Sequence, residues 1–187
     1  MPMLRVKIGG SAAGHVSGDS KMASRENWTK RPEFEVFTLE NILVLIWKAP
    51  PIYDGVKACA RATEILRLNH PSKKIGFLTY VEPRAQSGSP SEPVRNGLSS
   101  FLRANQQHIV ASVVIYEGTG FRATIVRSVV TAIQVASALD FPAQVSASRG
   151  AGAKWLLDKM RGQTQVGVSE LVALLIEDER PSPELGR

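Results

Sequence analysis

The sequence predicts an α/β domain with a mixed sheet of about five strands covered by helices, and three observations lead there. Short apolar runs of strand length alternate with longer stretches of helical period. The first two runs are separated only by Glu40 and Asn41, a hairpin spacing. Each later pair of runs is separated by one helical segment, and such crossovers give parallel strands with helices over the sheet.

The elements follow in order. Phe34–Leu39 reads as a strand, and Ile42–Trp47 is unbroken apolar sequence, the mark of a strand buried on both faces. Pro50 and Pro51 end it. From Tyr53 to Asn69, Val56, Cys59, Ala60, Thr63 and Leu66 form one stripe while Lys57, Arg61, Glu64 and Arg67 form the other. Asp54 is the expected N-cap, and His70-Pro71 stops this helix. Ile75–Val81 is the third strand. A Pro/Ser/Gly loop leads to a second helix near Ser91–His108, with Val94, Leu98, Phe101 and Leu102 inward. The apolar run from Ile109 to Tyr116 reads as a central strand. Phe121–Leu139 is a helix with Ile125, Val129, Val130 and Ile133 inward, and Ala143–Ser148 is a weaker strand. Helices over about Ala151–Met160 and Val168–Asp178 close the chain, the last with Val168, Leu171, Val172 and Leu175 as its apolar face. That face either docks on its own domain or is offered to a partner.

The domain is bounded at 33–160, with a flexible basic arm at 1–32 and a helix with a polar tail at 161–187. The net charge is +6, and residues 1–32 hold six basic residues against two acidic ones. Most of the excess charge thus lies on the arm, which supplies weak, salt-sensitive affinity for polyanions but no base-reading element. No specific nucleic-acid partner is expected. No apolar run is long enough to span a membrane and none resembles a secretory core, so a cytoplasmic location is expected. The single cysteine, Cys59, excludes an internal disulfide and falls on the core side of its helix. The three histidines lack ligand spacing, so neither a metal nor a cofactor is expected.

The hairpin, three αβ crossovers and closing helix, together with Gly76-Phe77-Leu78-Thr79-Tyr80-Val81-Glu82 and Glu117-Gly118-Thr119-Gly120-Phe121-Arg122, resemble the STAS domain, the SpoIIAA-like (anti-sigma-factor-antagonist-like) group. The likeness spans about Phe34–Met160 and points to an uncharacterised bacterial branch. It implies a non-enzymatic regulatory module with a protein partner or self-association. An allied lipid-binding fold implies the alternative of a small-molecule or lipid-binding domain, which needs a cavity beneath the second and third helices. The group's phosphorylated Ser or Thr follows the third strand, which makes Ser87, Ser89 and Ser91 the candidates here. No Asp precedes them, and the loop is longer than the family's.

Ligands of open α/β sheets gather at the carboxyl ends of parallel strands. Loops starting at Glu82, Glu117 and Ser148 meet that description. In Gly118-Thr119-Gly120, running into Phe121 and Arg122, converging N–H groups at a helix start suit a small anionic ligand. A tight strand-to-helix turn explains the same residues. Glu82 and Glu117 end strands that are expected to be neighbours, and paired carboxylates can perform acid–base chemistry in a phosphate-handling enzyme. Strand-end glutamates paired with Arg84 and Arg122 are the plainer reading, so no catalytic residue is assigned.

Overall fold

The computed structural model describes residues 25–85 and 89–177. Six strands, β1 (Arg25–Lys30), β2 (Phe34–Leu39), β3 (Ile42–Trp47), β4 (Ile75–Val81), β5 (Ile109–Ile115) and β6 (Ala143–Ser146), form one sheet in chain order. β1, β2 and β3 pair antiparallel, and β3 through β6 pair parallel. The helices are α1 (Tyr53–Asn69), α2 (Glu92–Asn105), α3 (Gly120–Ser137), α4 (Arg149–Lys159) and α5 (Val168–Glu177), and a 3₁₀ turn at Pro83–Ala85 follows β4. Among the described residues no helix is long and apolar enough to cross a membrane.

Strands laid down in chain order place every crossover helix on the same side. Leu43, Leu45 and Trp47 of β3 and Phe77 of β4 pack with Val56, Cys59 and Leu66 of α1, Phe101 and Leu102 of α2, and Ile133 of α3. The alternate residues Ile42, Val44 and Ile46, with Leu78 and Tyr80, face the opposite side. Ala153, Leu156 and Met160 of α4 cover them, together with Leu171 and Leu175 of α5. The unbroken apolar run of β3 is therefore needed, because each of its residues meets a helical layer.

α5 docks within its own domain: Leu171 and Leu175 are fully buried. Its approach is pinned at Glu40, whose carboxylate accepts from the Thr164 hydroxyl at 2.9 Å and the Gln165 N–H at 3.1 Å. Glu40 itself takes a left-handed backbone (φ 49) in the β2–β3 turn. Gly152 is a buried contact of α4 on β5. A Cβ there would stand 2.6 Å from Ile115 Cγ1.

The expectations at the amino terminus change in two ways. The sheet has a sixth strand because Arg25–Lys30, assigned from sequence to the arm, pairs with β2 as β1. The cause is Glu35, which is fully buried in β2. Its carboxylate binds Arg25 of β1, accepts from Lys48 Nζ at 3.0 Å and lies 3.8 Å from Lys30 Nζ. Arg25 also stacks over the Phe37 ring at 4.0 Å. Cations that read as a polyanion-binding tail thus satisfy an internal acid. Asp54 is also not the N-cap of α1. Ile52 holds that position with an extended backbone, and Asp54, inside the first turn, pairs with Arg31 at 3.3 Å and Lys57 at 3.4 Å.

Two variants test these contacts. Glu35 keeps Lys48 and Lys30 when Arg25 is removed, so Arg25→Ala should cost about 1–3 kcal/mol in urea unfolding, the range for losing one charged hydrogen-bond partner. Leu175→Ala should cost about 2–5 kcal/mol, the range for a buried leucine, whereas an undocked α5 predicts no change.

Candidate functional site

The carboxyl ends of the parallel strands form a rim, and its charged residues are engaged with one another. Glu82 directly follows β4 and is buried. Its N–H donates to the Trp47 carbonyl at 3.0 Å, and its carboxylate binds Arg84. Its Oε1 has no hydrogen-bond partner.

Glu117 follows β5, and the structure brings it to Arg149 of the third loop rather than to Arg122. The guanidinium lies 2.8 Å from one carboxylate oxygen, and the Arg149 backbone N–H donates to the other at 2.9 Å. Arg149 is the first residue of α4, so the positive helix end that suits an anion receives the protein's own carboxylate. Ser148 completes this end, its hydroxyl accepting from Ala151 N–H. Arg149 also stacks over the Tyr80 ring at 5.2 Å and donates to the Leu175 carbonyl at 3.4 Å. The Glu117–Arg149 pair therefore joins β5, α4, β4 and α5 at a single point. The two strand-end glutamates are held by different arginines, an arrangement that favours a structural part for both.

The Gly118-Thr119-Gly120 turn has its own steric account. A Cβ at Gly118 would stand 2.2 Å from the Tyr116 ring, so the glycine admits that buried aromatic. Thr119 is the N-cap of α3 and makes no side-chain cap bond, and Gly120 opens the helix with φ +66°. Arg122 is exposed in the first turn. Of the serine candidates, Ser87 lies outside the described residues. Ser89 is exposed, and Ser91 is the exposed N-cap of α2, also without a side-chain cap bond.

A second feature lies under the helices. A cavity of about 100 Å³ separates the sheet from α2 and α3. Its floor is Phe77, Thr79 and Val81 of β4, Ser112 and Val114 of β5, and Ala143 of β6. The roof is Leu98 and Leu102 of α2 with Ile125, Val126, Val129, Val130 and Ile133 of α3. The register explains the space. Phe77 stands beside Ser112, which stands beside Ala143, so the floor drops from a large ring to two small side chains under α3. Ile125, Val129 and Val130 point inward yet stay only half-buried. Thr79 and Ser112 are the two hydroxyl-bearing residues in an otherwise mainly apolar lining.

Cys59 takes no part in either feature. It is fully buried in α1, and burial pushes its thiol far above the ordinary range, disfavouring the reactive thiolate.

Two measurements follow. Glu117→Gln keeps the shape but loses the charge pairing with Arg149, and should lower unfolding stability by about 1–2 kcal/mol. Cys59 should resist thiol reagents in the native protein and react fully only in denaturant; rapid native labelling would show that the core around α1 opens.

The chain matches no family model, no curated protein and no solved structure.

Proposed function

We propose that this chain is a non-enzymatic binding domain that takes a small apolar or lipid-like ligand between its sheet and helices α2 and α3. The cavity carries the reading: it is mainly apolar, it presents the hydroxyl-bearing side chains of Thr79 and Ser112, and it lies where a lipid-binding relative of the STAS plan needs one. Ligand sites are typically of this kind, apolar with few polar groups. The volume limits the ligand class. A dry engineered cavity of roughly 150 Å³ accommodates benzene, so about 100 Å³ here suits one small ring or a short acyl segment.

A second reading, regulatory control through phosphorylation, draws on Ser91. Its hydroxyl is exposed at the start of a 14-residue helix, where N–H groups and the helix dipole favour a phosphate. Pro90, the preceding residue, lines the cavity, so a charge added at Ser91 would act on the ligand's surroundings. The order of hairpin, three αβ crossovers and closing helix supports the STAS-like regulatory plan as the frame for both readings.

The ligand reading is tested with butanoate and hexanoate as probes, followed by calorimetry and by amide shifts of residues over the cavity. Each buried methylene contributes about 0.8 kcal/mol, so hexanoate should bind about tenfold more tightly than butanoate. Val114→Phe, which fills the cavity from β5, should abolish binding while leaving the fold intact by circular dichroism. Equal affinity for the two acids, or undiminished binding in Val114→Phe, overturns the proposal.

A further inference from the structure

Two side chains in the floor of the cavity differ from the rest of its lining. Thr79 and Ser112 are only 8% and 6% exposed, and among the described residues neither hydroxyl has a hydrogen-bond partner. The sheet register explains why. Thr79 lies between Leu45 of β3 and Val114 of β5, and Ser112 lies between Phe77 of β4 and Ala143 of β6. All four neighbours are apolar and share the same face, so a partner for either hydroxyl can come only from above the sheet. The roof there offers Leu98, Leu102, Val126, Val129 and Val130.

An unpaired hydroxyl is costly once it is removed from water, and valine or alanine would fill either position with nearly the same shape. Two such groups facing one cavity therefore mark where the polar atoms of a ligand are received. A hydroxyl both donates and accepts, so it admits either kind of hydrogen-bonding group. The surroundings decide the charge. No Asp, Glu, Lys, Arg or His lines the cavity, and Gln134 and the Trp47 indole are its remaining polar side chains. An ionised group drawn to the floor would lose its hydration without gaining a counter-ion.

We propose that the cavity selects neutral ligands with a hydrogen-bonding group, of the phenol, alcohol or carboxamide class, and seats that group on the floor made by Thr79 and Ser112. This rests on the ligand reading of the cavity and goes beyond it by fixing which end of the ligand enters. A carboxylate on an alkyl chain stays at the mouth and lets only its apolar end in. A neutral polar group reaches the floor, where it satisfies hydroxyls that the fold itself leaves unpaired. Ligand sites set orientation in this way, with a few placed polar groups in an apolar lining.

Binding of benzene, phenol, hexanamide and hexanoate to the full chain, read from amide shifts around the cavity, provides the test. Thr79→Val combined with Ser112→Ala removes both hydroxyls at nearly constant shape. It should lower the ratio of phenol affinity to benzene affinity about tenfold. Hexanamide and hexanoate share one chain and differ in charge, and the amide should bind the wild type about tenfold more tightly. Far-UV circular dichroism checks that the double variant is folded, and the comparison of amide with acid needs no variant. If none of the four probes binds, the ligand reading fails and this proposal with it. If benzene binds but the double variant keeps the wild-type ratio, or hexanoate binds as tightly as hexanamide, this proposal is overturned while the ligand reading stands.

Discussion

The requirement that both faces of β3 and β4 be dry organises this molecule. Six consecutive apolar residues in β3 cannot be accommodated by a single helical layer, because successive side chains point to opposite faces. The crossover helices α1, α2 and α3 cover one face. The other would be left wet if the chain stopped at β6. α4 and α5 supply the missing layer, so the C-terminal helices belong to the core as fully as the strands do. Leu171 and Leu175 show this directly, being fully buried.

The polar contacts secure the same arrangement. Glu35 joins β1, β2 and the end of β3 by gathering Arg25, Lys30 and Lys48. At the strand-end rim, Glu117 and Arg149 connect β5 to the start of α4, and Arg149 reaches Tyr80 and the α5 backbone. These charges are held where they complete a layer. The residues that look most chemical in the sequence, Glu82 and Glu117, are thus engaged at the rim. The mainly apolar cavity lies apart from them, beneath α2 and α3.

The legible parts of the sequence were those with a strong local signal. α1 and β4 lie at the limits that periodicity assigns, Tyr53–Asn69 and Ile75–Val81, because a clear amphipathic stripe and a compact apolar run each leave little choice of boundary. Less legible was β1. Arg25–Lys30 has no alternating apolar pattern, and its pairing depends on an acid ten residues away in Glu35. The partner of Glu117 was equally hidden. Arg122 is near in sequence, but Arg149, 32 residues on, is the one brought to it by the parallel pairing of β5 with β6. Asp54 shows a local rule overridden: a good capping residue lies two positions inside the helix because packing of Ile52 and Val56 sets where α1 starts.

What the sequence determines by itself is the kind and order of the elements, since apolar periodicity and turn residues act over a few positions and need no distant partner. That is sufficient for an α/β domain opening on a hairpin and continuing through three crossovers. The tertiary structure decided which charges meet, that α5 closes the second face, and that small side chains at Ser112 and Ala143 leave a cavity under α3. Each of these depends on strand register and helix placement, which bring together residues far apart in the chain.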